Sequence, residues 1–179
     1  MPGALREETA RLLSFYLERR LGGAGGPSPG RAAETLARVA GELESRERAF
    51  FRLACGADAL PEPGRAAAFL SRVAAQMEAE GGLNWGRVVA LVAFAGNLAA
   101  ALAERGSREE AAALADALAA YLAGDRREWL EAHGGWDGFY HFFNKHGSDP
   151  ADQNSTISNA IMAAAGFGLA GLAFLLAVR

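Results

Sequence analysis

The side chains that could carry out chemistry are few, and their spacing does not form a catalytic motif. The three histidines, His133, His141 and His146, show neither an HExxH pattern nor a pair four residues apart, and the single Cys55 argues against a structural zinc site. The glycine-rich segment 22–30 follows a predicted helix, unlike the phosphate-binding loops that follow a strand. No GxSxG motif occurs. The sequence therefore predicts no enzyme, no metal site and no cofactor.

Cys55 has two interpretations. One cysteine excludes an intrachain disulfide, which fits a reducing compartment. The thiol could be a redox site, but it follows Phe50, Phe51 and Leu53, and a lone cysteine among apolar residues usually fills space in a core. We expect Cys55 to be such a core residue.

Arg87 has the most unusual surroundings of any charged residue. It stands in the first turn of the most apolar predicted helix, directly before the apolar run 88–91, and a cation near a helix N-terminus opposes the helix dipole. A partly buried arginine needs a partner. An intrachain contact or a side chain that reaches water would supply one. Alternatively, Arg87 is an anchor for a carboxylate of another protein, which a guanidinium can hold through two hydrogen bonds.

The remaining residues predict an all-α domain. The 179 residues suffice for one core, and a net charge of −3 with well-mixed signs argues against binding to nucleic acid. Apolar residues recur every three or four positions, and glycine or proline separates most of the segments. The predicted helices cover about 5–21, 31–54, 66–80, 85–103, 109–123, 126–132 and 136–145, besides the tail. We expect a bundle around a hydrophobic hairpin formed by the fourth and fifth of these helices.

Two helix starts have recognisable capping signals. Asn84 precedes the most apolar helix and is a suitable N-cap residue. Residues 107–110 (SREE) have the spacing of a capping box, in which Ser107 and Glu110 would bond each other's backbone amides.

The C-terminal segment predicts a membrane anchor. No charge occurs from Gln153 to Val178, and Ala160–Val178 is apolar or small, which at about 1.5 Å per residue is enough to cross the hydrocarbon core. A buried core helix is the alternative, but the length and the lack of a polar face favour a span. We therefore expect a helical domain (1–147), a linker (148–159) and a transmembrane anchor (160–178). Insertion after synthesis would leave the domain in the cytosol.

Three segments resemble homology motifs of the Bcl-2 family of apoptosis regulators. Residues 83–90 (LNWGRVVA) are similar to the first motif, residues 129–139 (WLEAHGGWDGF) to the second, and residues 12–21 (LLSFYLERRL) to the fourth. Together with the tail they form a specific combination that covers nearly the whole chain. The first residues, the GGLNWGR segment and the tail look closest to the branch called Bcl-2-like ten, or NR-thirteen.

The resemblance implies an all-α, Bcl-2-like bundle of about eight helices around a central hydrophobic hairpin, with a C-terminal transmembrane helix. It also implies a surface groove that binds the amphipathic third-motif helix of pro-apoptotic relatives, in which an arginine meets the ligand's aspartate. The candidate groove residues are Val73, Met77, Asn84, Gly86, Arg87 and Phe94. Motif residues expected to pack within the domain are Tyr16, Trp85, Trp129, Gly135 and Trp136.

The resemblance further implies where the chain acts and with which partners. The expected partners are pro-apoptotic family members, bound through their death-motif helix, and the lipid bilayer, bound through residues 160–178. No nucleic acid is expected, and homo- or heterodimers are left open. The expected location is the mitochondrial outer membrane or the endoplasmic reticulum, with the domain facing the cytosol.

The chain's own third motif departs from the family pattern. In residues 36–43 (LARVAGEL), Ala37 takes the place of the expected leucine when Gly41 is aligned, and Glu42 replaces the aspartate. The chain should therefore be a poor donor of this helix, which favours an anti-apoptotic receptor. A membrane-permeabilising, pro-apoptotic effector and a tail-anchored adaptor with a vestigial groove are the alternatives. Gly81-Gly82 also adds one residue before the first motif, which bears on the assignment of Val73 and Met77.

Overall fold

The computed structural model describes residues 2–56, 59–79 and 82–144, and most of these residues are helical. Eight α-helices follow one another in these ranges, and a π-helical turn, Tyr121–Asp125, joins the sixth to the seventh. The helices are α1 Pro2–Arg20, α2 Arg31–Arg46, α3 Arg48–Ala54, α4 Ala66–Glu78, α5 Trp85–Glu104, α6 Arg108–Ala120, α7 Arg127–Ala132 and α8 Gly135–Asn144. The described ranges contain no strand, which confirms the all-α prediction. The predicted linker and membrane anchor lie outside them.

The most apolar helix, α5, lies at the centre of the bundle. It packs against α1, α2, α4 and α6, and most of its residues are buried around its whole circumference. α5 is also the one described helix long and apolar enough to cross a bilayer, a property that buried core helices share. α6 differs, because it buries only the face that carries Leu114 and Leu118. The predicted central hairpin is thus one core helix with an amphipathic partner.

The amphipathic patterns of α2 and α4 identify their buried faces correctly. In α4 the buried residues are those of the predicted stripe, Ala66, Phe69, Leu70, Val73, Ala74 and Met77. In α2 the same spacing buries Leu36, Val39, Ala40 and Leu43, each at most 1% exposed. The apolar face of the third-motif helix is therefore part of the core.

The prediction of one helix over residues 31–54 was wrong. The chain bends at Glu47, where φ is −106° and ψ is 32°, and α3 begins at the next residue. An unbroken helix would place Glu47 on the same face as the buried Leu43, four residues earlier. The bend keeps Glu47 partly exposed and lets Phe51 and Ala54 pack into the core.

The predicted capping box does not form, so this prediction was also wrong. Ser107 is the N-cap of α6, but its side chain makes no capping hydrogen bond. The Glu110 carboxylate instead accepts a hydrogen bond of 3.0 Å from the backbone N–H of Ala66, the first residue of α4. The first amides of a helix have no partner within it, and the N-cap residue of α4 supplies no side-chain bond. Glu110 therefore satisfies an amide of α4 and ties α6 to α4.

The fourth-motif helix α1 is joined to α2 and α5 by a partly buried polar network beside a glycine. The Tyr16 hydroxyl donates to Glu44 Oε1 at 2.8 Å. Arg20 Nη2 donates to Asn97 Oδ1 at 3.1 Å and lies 3.5 Å from Glu44 Oε2. Gly96 makes this approach possible, because a Cβ there would lie 2.9 Å from the Tyr16 hydroxyl oxygen. Burial raises the pKa of Tyr16 well above its usual value, so the phenol stays protonated and donates.

Replacement of Gly96 by alanine is expected to destabilise the fold, because the new methyl group would overlap the Tyr16 ring. Overpacking of a core contact typically costs about 1–3 kcal/mol, measurable by chemical denaturation followed by circular dichroism. Gly41→Ala is the matched control, since Gly41 is also within a helix but a Cβ there meets nothing within 4 Å. Alanine at that position should stabilise the chain by roughly 0.5–1 kcal/mol. Equal effects at both positions would contradict the proposed contact.

Candidate ligand-helix site

Asn84 fixes the start of α5, as the sequence predicted. Its backbone is extended, with φ −147° and ψ 170°, and its side-chain Oδ1 accepts a hydrogen bond of 2.8 Å from the backbone N–H of Arg87. This is the geometry of an N-cap, which satisfies one of the amides that a helix leaves without a partner. Asn84 thereby determines where the Arg87 side chain leaves the helix.

Arg87 reaches back to the chain that enters α5. Its side chain is buried, and its Nη1 donates to the carbonyl oxygen of Gly82. Gly82 has φ +84°, a conformation that favours glycine. A carbonyl oxygen offsets part of the cost of burying a cation at the positive end of a helix dipole. The intrachain contact considered for Arg87 is therefore present. A guanidinium has five donors, so this bond by itself does not exclude a carboxylate ligand.

The three apolar residues expected to line the groove lie in a closed core. Val73 and Phe94 are 0% exposed and Met77 is 2% exposed. Phe94 contacts Phe69 of α4 with 5.9 Å between ring centroids. The structure thus places these residues on the packed faces of α4 and α5, not on an open surface. A ligand helix could contact them only after an element that covers them has moved.

α3 is the described helix with the fewest attachments. It is seven residues long and packs closely only against α2, whereas α4 packs against both α5 and α6. Leu53 of α3 is 79% exposed, and Phe50 is only partly buried. Few buried contacts and an exposed apolar side chain are typical of a segment that opens at low free-energy cost. α3 is therefore the described helix that would open most easily.

The second-motif residues form an aromatic cluster around Trp85, at the start of α5. The Trp85 ring lies 4.8 Å from that of Trp129, 6.1 Å from that of Trp136 and 5.3 Å from that of Phe139, between ring centroids. Trp136 is almost completely buried, and its Nε1 donates to Thr9 Oγ1 at 2.8 Å. These contacts hold the end of α5 that carries Arg87 against α7, α8 and α1.

Gly135 makes the turn that brings Trp136 into this cluster. It has φ +62°, and it begins α8 directly after the turn from α7. A residue with a side chain would be strained in this conformation. The glycine of the second motif therefore has a conformational role.

The sequence did not reveal a polar cluster of Glu78, Tyr121 and Arg126. Glu78 is on the last turn of α4, and its carboxylate accepts hydrogen bonds from the Tyr121 hydroxyl and from Arg126 Nε and Nη2, the last at 2.7 Å. The bonds from Arg126 hold the pKa of Glu78 below its usual value. Helical periodicity could not indicate this contact, because Tyr121 and Arg126 belong to the π-helical turn and its end.

A concave region lies at the end of α5 opposite Arg87. It is a cavity of about 760 Å³ between α1, α3 and the last turns of α5, and Cys55 is in its lining. Burial raises the pKa of the Cys55 thiol to about 12, so the thiol is protonated and poorly nucleophilic at neutral pH. This supports the prediction that Cys55 is a core residue. In the part of the chain that the structure describes, no three His, Cys, Asp or Glu residues are placed to hold a metal ion.

Known proteins resemble this chain in both sequence and fold. The family model described as apoptosis regulator proteins, Bcl-2 family, matches residues 36–136. The chain is 66% identical to the anti-apoptotic protein NR13 of Gallus gallus over the full length of both chains.

Two solved structures share the fold over most of this chain. One is the zebrafish pro-survival protein NRZ in complex with the Bad BH3, with 36% sequence identity, a TM-score of 0.68, and coverage of 80% of this chain and 97% of that one. The other is Trichoplax adhaerens trBcl-2L2 bound to trBak BH3, with 26% identity, a TM-score of 0.67, and coverage of 77% and 98%.

Replacement of Asn84 by alanine removes the side-chain acceptor for the Arg87 amide. The loss of an N-cap typically costs about 1 kcal/mol of stability, which denaturant unfolding would measure. Ser107→Ala is the matched control, since Ser107 is also an N-cap residue but makes no capping bond, and it should change stability by less than about 0.5 kcal/mol. A similar loss in both variants would show that the Asn84 bond has no special importance.

Proposed function

The chain belongs to the Bcl-2 family of apoptosis regulator proteins, and from this premise we propose that it is an anti-apoptotic receptor for the third-motif (BH3) helix of pro-apoptotic relatives. One observation carries the proposal: Arg87 stands at the start of the central buried helix in a chain similar to a pro-survival protein solved in complex with the Bad BH3. The function is binding, and it requires neither a catalytic group nor a cofactor.

Arg87 is the polar anchor in this proposal, and it binds the aspartate of the ligand helix. A guanidinium can hold a carboxylate through two hydrogen bonds, which fixes the register of the ligand as well as adding affinity. Gly86 lies beside it, and the lack of a side chain permits a close approach of backbone. Asn84 supports both by holding the first turn of α5.

We propose that movement of α3 opens the apolar part of the site. Val73, Met77 and Phe94 are already buried, so the apolar residues of the ligand must replace contacts that the chain now makes with itself. This is helix-in-groove recognition, of which binding of BH3 helices by this family is a standard instance. Displacement of α3 reduces the net affinity by the free energy of opening.

The burial of α2 favours a receptor over a donor. The four residues Leu36, Val39, Ala40 and Leu43 would have to leave the core before α2 could bind another protein as a third-motif helix. α2 packs on α1, α5 and α8, so its release would disrupt much of the bundle. Together with Glu42 in place of the aspartate, this supports the anti-apoptotic role.

A pro-apoptotic effector is the second candidate, and the composition of α5 is the observation that favours it. This helix is long and apolar enough to enter a bilayer if the bundle opened. Release of liposome contents by the full-length chain would favour this alternative. If the chain instead inhibits the release that a pro-apoptotic relative causes, the anti-apoptotic receptor is favoured.

The membrane location is part of the same proposal and is supported by the sequence alone. Residues 160–178 would anchor the chain in the mitochondrial outer membrane or the endoplasmic reticulum, with the helical domain in the cytosol. This location would place the receptor where membrane-bound relatives act. Dimers with such relatives, or between copies of this chain, are compatible with it.

Replacement of Arg87 by glutamine is expected to weaken binding of a synthetic third-motif peptide by about 1.5–3 kcal/mol, because it removes a charge-assisted hydrogen bond. This corresponds to roughly a tenfold to hundredfold increase in Kd, measurable by titration calorimetry. A peptide whose aspartate is replaced by asparagine should lose much less affinity on the variant than on the wild type.

Arg105→Gln is the matched control. Arg105 is at the other end of α5 and also donates to a backbone carbonyl, that of Pro61 at 3.0 Å. The Arg105→Gln variant should bind the third-motif peptide with unchanged affinity. Tight binding that Arg87→Gln does not weaken would exclude Arg87 as the anchor, and no binding by the wild type would argue for a vestigial groove.

A further inference from the structure

Outside the motifs, a polar cluster with several hydrogen bonds joins α4 to the π-helical turn. We call Glu78, Tyr121 and Arg126 the α4 clamp. The Glu78 side chain is 16% exposed and that of Arg126 is 42% exposed, and both carboxylate oxygens of Glu78 accept hydrogen bonds from Arg126. Tyr121 donates to the same carboxylate. A paired arginine and carboxylate with two bonds has a defined geometry, unlike most exposed ion pairs.

The π-helical turn is what allows the α4 clamp to form. In an α-helix, residues five positions apart point about 140° away from each other. Here the backbone N–H of Arg126 donates to the carbonyl oxygen of Tyr121 at 2.8 Å, which is the spacing of a π-turn. The wider turn brings both side chains to the same carboxylate. Short π-helical segments often occur at functional sites, and this one serves to hold the end of α4.

A continuous series of hydrogen bonds runs from the α4 clamp to Arg87. The backbone carbonyl of Glu78 accepts a hydrogen bond of 2.9 Å from the N–H of Gly82. The carbonyl oxygen of Gly82 in turn accepts the bond from Arg87 Nη1. The residue that carries the clamped carboxylate is therefore two hydrogen bonds away from the proposed anchor for the ligand.

We propose that the α4 clamp is a positioning device for Arg87, which makes the site selective for a ligand helix that presents a carboxylate. The proposal rests on the proposed function. The clamp residues do not contact the ligand. They hold the last turn of α4, and through Gly82 they fix the place at which the guanidinium donates.

The clamp also holds α4 more firmly than α3 is held. α4 is held by the clamp, by Glu110 at its first residue and by its packing on α5 and α6. α3 packs closely only against α2. Ligand entry then displaces α3 while α4 and Arg87 keep their positions. A fixed polar anchor discriminates between ligands better than one that must be ordered on binding.

The test compares two synthetic third-motif peptides that differ only in an aspartate or an asparagine at the anchor position. The ratio of their dissociation constants on the full-length chain measures selectivity for the carboxylate. We expect Glu78→Gln and Arg126→Gln to lower this ratio by roughly threefold to tenfold, in the range typical of residues that act through others. The exchanged pair, Glu78→Arg with Arg126→Glu, should restore part of it.

Arg127→Gln is the matched control for Arg126→Gln. Arg127 is the next residue and also pairs with a carboxylate, Glu131, at 2.9 Å, but Glu131 is 48% exposed and the pair lies within α7. The Arg127→Gln variant should leave the ratio of the two dissociation constants unchanged. Loss of stability alone would weaken both peptides equally and keep the ratio constant. An unchanged ratio in folded Glu78→Gln and Arg126→Gln would therefore overturn the proposal.

A second measurement needs no ligand. Hydrogen exchange of the backbone amides of Gly82 and Arg87 should be several-fold faster in Glu78→Gln and Arg126→Gln than in the wild type and in Arg127→Gln. Equal exchange in all four proteins would overturn the role of the clamp. If the wild type binds neither peptide, the proposed function fails, while the exchange rates still decide whether the clamp holds Arg87.

Discussion

Burial of the Arg87 guanidinium at the start of an apolar helix constrains the surrounding structure. A cation in this place is unfavourable both for its desolvation and for its position in the helix dipole. The chain compensates with the carbonyl oxygen of Gly82, and the Asn84 cap holds the first turn. The aromatic cluster around Trp85 then fixes the same end of α5 against three other helices. The first and second motifs are therefore two parts of one support for a single charge.

α4 and α3 differ in how firmly they are held. α4 has polar attachments at both ends, from Glu110 and from the α4 clamp, in addition to its buried stripe. α3 is short, separated from α2 by the bend at Glu47, and leaves Leu53 exposed. A receptor built in this way keeps its polar anchor fixed and adapts its apolar surface. This reconciles the fully buried Val73, Met77 and Phe94 with a role in binding.

Sequence periodicity predicted the buried faces of α2 and α4 because an apolar stripe on a helix has one favourable orientation in a core. It also identified α5 as central and Asn84 as its cap. It failed where geometry departs from the regular helix or where a partner is distant in sequence. The bend at Glu47 and the π-helical turn shift the phase of the pattern, and Glu110 bonds Ala66 of another helix in place of Ser107. Motif resemblance pointed to Arg87, but the α4 clamp that supports it has no local signature.

The central claim is that a third-motif helix binds to this domain with Arg87 as its anchor, and that α3 moves to admit it. Amide chemical shifts of the isotope-labelled chain, recorded during titration with such a peptide, test this claim most directly. The account predicts that the largest changes occur in α3 and in the first turn of α5, and that α4 changes less than α3. Changes concentrated on α1 and α6, or tight binding that leaves α3 and Arg87 unperturbed, would contradict it.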